Sequence, residues 1–274
     1  MTWPNLTARP RPDCDREFRY GPDRLQVVDL WLPAGVPTGR WPVVLMVHGG
    51  CWQSSIADRR LMDWVAADLR AAGIAVWNID YRGVDRDGGG YPGTFADAAA
   101  AADLLHDHAD ACRLDTDRVV AVGHSAGGHL ALWLAARHRL PAHSPLADTN
   151  PLPVAHVVSL GGLPDLAAVE ASPDNGCGTD VIAQLVGGDR TDRFADTSVT
   201  ELLPVGVPID LVDGEQDRIV PARMAPAFAE AARAASDRVA LHRFDDTGHV
   251  EQIVPDSVAW LAARRLIEQA LGQH

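Results

Sequence analysis

Gly123-His124-Ser125-Ala126-Gly127 sets one serine among small residues. The pattern G-x-S-x-G suits a sharp strand-to-helix turn, in which a strained serine lifts its hydroxyl clear of a sheet edge. The apolar run Val119 to Val122 before it and the helix-forming stretch Ala126 to Arg137 after it provide that setting. The new helix also aims its free N–H groups and positive dipole end at the same point. A hydroxyl at its ordinary pKa is a weak nucleophile, so the turn predicts a base and an acid to orient it, in chain order serine, acid, histidine. Asp217 stands in Gly214-Glu215-Gln216-Asp217-Arg218-Ile219-Val220-Pro221, just past an apolar run ending at Val212, and His249 in Thr247-Gly248-His249, just past one ending at Phe244. Attack on an acyl carbon also builds negative charge on oxygen, which pre-fixed amides stabilise. His48-Gly49-Gly50-Cys51-Trp52 follows the apolar run Val43 to Val47, so the N–H groups of Gly50 and Cys51, with that of Ala126, are the expected oxyanion donors.

Position singles His249 out from the other histidines. His242 falls inside a strand, His138 late in a helix, and His106 and His108 on different sides of one helix, where they make a poor metal pair. His124 is locked in the nucleophile turn, where it can pack or line a pocket but is badly placed as base. Trp52, Tyr91 and His124 are the residues expected to contact substrate. Gly88-Gly89-Gly90-Tyr91-Pro92-Gly93 satisfies G-x-G-x-x-G literally, but Asp85 and Asp87 separate it from the preceding strand and Pro92 suits a helix start, so it reads as an active-site rim rather than a dinucleotide cradle.

The elements that must position these groups alternate. Apolar strands are expected at Val43 to Val47, Ile74 to Ile79, Arg118 to Val122, Val154 to Leu160, Ile209 to Val212 and Val239 to Phe244, with helices at Arg60 to Ala72, Thr94 to His108, Ala126 to Arg137 and Ser257 to Leu271. Such alternation implies a parallel sheet covered on both faces. Arg19 to Leu32 alternates without a helix and suits an antiparallel hairpin. Residues 161–208, rich in Gly, Pro, Asp and Thr, are too long for an ordinary connection and read as a small cap with helical pieces near Asp180 to Val186 and Thr197 to Leu203.

The 274 residues are read as one domain, 1–274, with the cap as an insertion. A net charge of −13 opposes binding to phosphate backbones or anionic membrane surfaces. No run of about 18 apolar residues occurs, and a cytoplasmic setting is expected. Cys14, Cys51, Cys112 and Cys177 form no C-x-x-C pair and are read as reduced, ordinary residues.

With His-Gly-Gly-Cys-Trp at 48–52, Asp80-Tyr81-Arg82, Gly-His-Ser-Ala-Gly at 123–127, Asp217 and Gly248-His249, the chain resembles the α/β-hydrolase superfamily over nearly its whole length. The first two elements are similar to those of the kynurenine formamidase-like and hormone-sensitive-lipase-like carboxylesterases. Cys51 departs from the aromatic or third glycine common there. The resemblance implies an α/β-hydrolase fold with a mostly parallel eight-stranded sheet, no cofactor or metal, and a two-step acyl-enzyme mechanism. The leading expectation is a serine hydrolase of small carboxylic esters, acting on a small-molecule ester or acyl substrate. An N-formyl amide hydrolase of the kynurenine formamidase type, and a non-catalytic binding protein on the same fold, are the alternatives. Oligomeric state is open, with a homodimer entertained.

Overall fold

The computed structural model describes residues 3–273. Eight strands form one sheet in the order β1-β2-β4-β3-β5-β6-β7-β8, where β1 is Arg16–Arg19, β2 Val27–Trp31, β3 Trp41–Val47, β4 Ala75–Ile79, β5 Leu114–His124, β6 Val154–Leu160, β7 Ile209–Gly214 and β8 Val239–Phe244. β1 and β2 pair antiparallel, the hairpin expected of the opening segment, although its first strand starts at Arg16, ahead of the expected Arg19, and β2 joins β4 antiparallel. Every pairing from β4 through β8 is parallel.

The continuous apolar runs are explained by burial on both sides. Val43, Leu45, Val47, Trp77 and Ala121 face one core, and Val44, Met46, Val76, Val120 and Val122 face the other, the two-residue period of a pleated strand. Helices α3 (Gly93–Cys112), α4 (Ala126–Ala135) and α7 (Met224–Ala234) supply apolar residues to the first core. Helices α2 (Asp63–Ala71) and α8 (Val258–Ala270) supply them to the second. The five-residue helix α1, Trp3–Thr7, adds Leu6 to that second core. Neither α1 nor α7 is expected from the sequence: the first is short, and the buried face of the second is mostly alanine, with Met224 and Phe228 its large apolar residues.

Residues 161–208 carry helices α5 (Leu166–Glu170) and α6 (Thr179–Val186) and a 3-10 turn at Val199–Leu202, close to the two pieces expected. Cys51 and Cys177 are joined by a disulfide, with Cα atoms 5.3 Å apart, which overturns the expectation that all four cysteines are reduced. Only Cys14 and Cys112 are free thiols among the described residues. The pair lies 126 residues apart on two loops, and only folding brings these loops together. Among the described residues no helix is long and apolar enough to cross a membrane.

Candidate active site

Parallel strands deliver their following loops to one edge of the sheet, and the segments after β3, β5, β7 and β8 carry the residues singled out above. The turn after β5 is sharp. Ser125 adopts φ 56° and ψ −123°, a conformation that non-glycine residues rarely occupy, and α4 begins at the next residue. Its amide donates to the carbonyl of Leu160 at 2.8 Å, fixing the turn to β6. Small neighbours are obligatory here. A Cβ on Gly127 would lie 2.2 Å from the carbonyl oxygen of Val47, and one on Gly49 would come within 3.0 Å of the Ser125 Cβ. The His48–Trp52 loop therefore lies directly against the serine turn.

On the other side, Asp217 and His249 meet. His249 Nδ1 lies 2.6 Å from Asp217 Oδ2, with both side chains buried. The second carboxylate oxygen of Asp217 accepts the amides of Ile219 at 2.8 Å and Val220 at 2.9 Å. Burial alone pushes the Asp217 carboxyl up, but the hydrogen bond and charge of His249 and those two amides outweigh it and hold the acid below the ordinary aspartate value. His249 thus has a charged partner on one ring nitrogen, which leaves Nε2 for another group.

His124 connects the two halves. It is fully buried, its Nε2–H donates to the main-chain oxygen of His249 at 3.0 Å, and its ring centroid lies 4.5 Å from that of His249. Burial, followed by the nearby His249, lowers its pKa to about 3, so it stays a neutral prop. With no solvent exposure, this side chain braces the base loop. Trp52 is likewise fully buried: its indole N–H donates to His129 Nδ1 at 3.3 Å, and His129 Nε2–H donates to the Thr197 carbonyl at 2.8 Å. That relay anchors the 48–52 loop to the 161–208 segment. Tyr91 is committed to the same segment, donating its hydroxyl to Asp196 at 2.8 Å beneath the Arg190 guanidinium, 3.5 Å from its ring.

An aromatic wall comes from a residue that sequence reasoning missed. The indole of Trp3 stands edge-on to His249 and His124, centroids 6.3 and 6.0 Å away, and is 37 % exposed. Nothing local to the first residues signals this long-range contact.

The 48–52 loop rests on a buried ionic chain. His48 Nε2 lies 3.0 Å from Asp80 Oδ1, Arg59 reaches Asp80 at 3.1 Å and Asp29 at 2.7 Å, and the Tyr81 hydroxyl donates to the His48 carbonyl at 3.0 Å. This explains why Asp80-Tyr81 accompanies the His-Gly-Gly loop. The part played by Arg59 and Asp29 is visible only in three dimensions. Among the described residues, the amides of Gly50, Cys51 and Ala126 are not engaged by main-chain acceptors. Cys51 and Trp52 both have positive φ, 51° and 54°.

Asp213 lies within β7, where burial first and the Asp217 charge second raise its pKa to about 7. A carboxyl whose folded pKa exceeds its unfolded value favours the fold below the unfolded value, and that contribution disappears as pH rises toward 7. Asp213→Asn is therefore expected to have a higher Tm than the parent at pH 8, with the gap narrowing by pH 5. A gap independent of pH would contradict the assignment.

Comparison with known proteins adds family and fold. The BD-FAE family profile matches residues 28–231. Esterase LipC of Mycobacterium tuberculosis is 28% identical over 228 residues, covering 81% of this chain and 55% of LipC, so the chain spans about half the length of that curated relative. Among solved structures, an inhibited esterase B from Lactobacillus rhamnosis has a TM-score of 0.78 at 18% identity, over 98% of this chain and 93% of that one. The propionate-bound esterase Est2 of Thermogutta terrifontis has a TM-score of 0.74 at 23% identity, over 94% and 93%. The shared architecture is the α/β-hydrolase fold.

Proposed function

Because the chain belongs to the BD-FAE family, we propose that it is a serine hydrolase of small carboxylic esters, with Ser125 as nucleophile, His249 as base and Asp217 as the acid that orients it. The observation that carries this reading is the 2.6 Å Asp217–His249 contact, with the His249 ring 4.5 Å from that of His124, the residue preceding a serine with φ 56° at the start of a helix. The names of the relatives, esterases from several organisms, support it. His249 Nε2 takes the proton from Ser125 Oγ as that oxygen bonds to the acyl carbon. The resulting oxyanion meets the amides of Gly50, Cys51 and Ala126. Collapse breaks the ester C–O bond, His249 returns the proton to the departing alcohol, and water repeats the sequence to free the acid. Asp217 stays ionised throughout, stabilising the imidazolium without taking its proton.

Residues 161–208 serve as a short cap, tied down by Trp52, Tyr91 and the disulfide, and Trp3 walls the open side. A cap so closely stapled suits short acyl groups. The acidic chain acts on a free small molecule, without nucleic-acid or membrane partners. Since cytosolic thiol systems keep most cysteines reduced, the cross-link favours an oxidising compartment over the cytoplasm expected from sequence.

A fluorophosphonate probe is expected to label Ser125, identified by peptide mass spectrometry. p-Nitrophenyl acetate should be turned over faster than either N-formylkynurenine or p-nitrophenyl octanoate. A clear preference for the formamide would move the reading to an N-formyl amide hydrolase. Absence of both label and turnover would leave a non-catalytic binding protein.

A further inference from the structure

The segment 172–178 is fastened at both ends of the candidate site. Toward β7, the Gly176 amide donates to the Ile219 carbonyl at 2.8 Å, and Ile219 itself gives its amide to the Asp217 carboxylate. Asp174 is held nearby by both Nη atoms of Arg223 at 2.6 Å. Toward β3, the adjacent Cys177 is bonded to Cys51. β5 and β6 separate those two strands, so one strap joins loops whose parent strands lie three strand spacings, roughly 14 Å, apart. A turn closes the strap internally: the Cys177 amide donates to Asn175 Oδ1 at 3.0 Å, and Asn175 Nδ2 donates to the Val169 carbonyl at 3.0 Å.

What the strap grips matters more than that it grips. Cys51 has φ 51°, a left-handed conformation that costs a side-chain-bearing residue energy and persists only where its surroundings impose it. The following residue is held left-handed too, by the Trp52 indole on His129 and by the Trp52 carbonyl, which accepts the Val84 amide at 2.7 Å. For Cys51, the side-chain restraint is the bond to Cys177. Glycine would adopt this φ freely; the chain carries cysteine there and constrains it covalently.

We infer that Cys177 is a positioning residue, holding through the disulfide the left-handed Cys51 whose amide faces the developing oxyanion. This rests on the serine-hydrolase reading above. The strap therefore couples the oxyanion loop, through the disulfide, to the acid loop, through the Gly176–Ile219 hydrogen bond. With the bridge open, Cys51 relaxes toward negative φ and its amide turns away from the reacting oxygen. Substrate binding, which precedes charge development, is largely spared.

Cys177→Ser and wild-type protein reduced by a water-soluble phosphine test it together. The phosphine gives two electrons to the S–S bond and takes its oxygen from water, becoming the oxide, while the two protons of that water complete the two thiols. Both forms are expected to lose about tenfold or more in kcat on p-nitrophenyl acetate, short of the roughly 10²–10³ for deleting an oxyanion donor. KM should stay within about threefold, and a trifluoromethyl ketone, which imitates the tetrahedral state, should weaken in parallel with kcat/KM. Reoxidation of the reduced wild type should restore kcat. Thiol titration in denaturant should find two thiols before reduction and four after. Unchanged kcat and ketone affinity in Cys177→Ser, or four thiols in the untreated protein, would overturn the positioning role while leaving the serine-hydrolase reading standing. A wild type that neither turns over ester nor accepts the Ser125 probe removes both. If the variant does not fold, the reduced wild type, its circular dichroism unchanged, decides alone.

Discussion

Ser125→Ala is expected to lower kcat on p-nitrophenyl acetate by roughly 10⁴-fold or more, with KM within a few-fold of the parent. The size follows from what the hydroxyl supplies. Without Oγ no acyl-enzyme forms, and His249 has nothing to deprotonate except water, which is neither fixed nor aligned. Oxyanion donors and binding then sustain only the residual catalysis that similar sites retain over the uncatalysed reaction. Stability should hardly change. Ser125 is 2 % exposed with φ 56°, and alanine meets the same left-handed conformation with one atom fewer. Steady-state rates, fluorophosphonate labelling and Tm, measured on the same preparation, separate loss of chemistry from loss of fold. A variant that turns over ester at the parental rate refutes the assignment of the nucleophile.

Arg59→Leu should have the largest effect on stability. The guanidinium spans Asp29, which is 5 % exposed, and Asp80, which is 1 % exposed, and also reaches Glu17 at 2.8 Å. Removing it leaves two carboxylates in a dry interior, and breaking a buried ion pair from one side costs about 3–5 kcal/mol. For a chain of this size that corresponds to a fall in Tm on the order of 10 °C. Activity at a temperature where the variant remains folded should fall as well, since Asp80 is also the carboxylate against which His48 sets the oxyanion loop. Adding Asp29→Asn to Arg59→Leu removes one stranded charge and should recover part of the lost Tm, the non-additivity expected of residues sharing one network. A Tm within 2 °C of the parent in thermal unfolding would show that the chain of charges contributes little.

Local pattern made the strands, the serine turn and the order of Ser125, Asp217 and His249 legible in the sequence. Strands such as Val43 to Val47 are buried on both faces, so their apolar runs are unbroken, and each candidate group follows such a run by a few residues. The hairpin before β3 and the helical piece at Asp180 to Val186 were readable for the same reason. What escaped is set by distant contacts. Cys51 and Cys177 carry no local mark of pairing, because connectivity depends on which loops the fold brings together. Trp52 looks like a rim aromatic until its left-handed backbone turns the indole to His129. Tyr91 is taken up by Asp196, more than a hundred positions later. Asp213 resembles any loop carboxylate until β7 encloses it, and Trp3 belongs to a helix too short to announce itself.

The Cys51–Cys177 bond also divides the chain topologically. It closes a ring that includes Ser125, whereas Asp217 and His249 belong to the open tail beyond it. An unfolded but unreduced molecule is therefore a ring with chain on both sides: the nucleophile stays inside the macrocycle, the Gly50 end of the oxyanion loop precedes its closure, and acid and base diffuse with the segment that follows. A single peptide-bond cut between positions 51 and 177 would linearise the macrocycle without shedding a fragment. A cut anywhere from 178 to 216 would sever the tail, and both polar partners of the serine would leave with it.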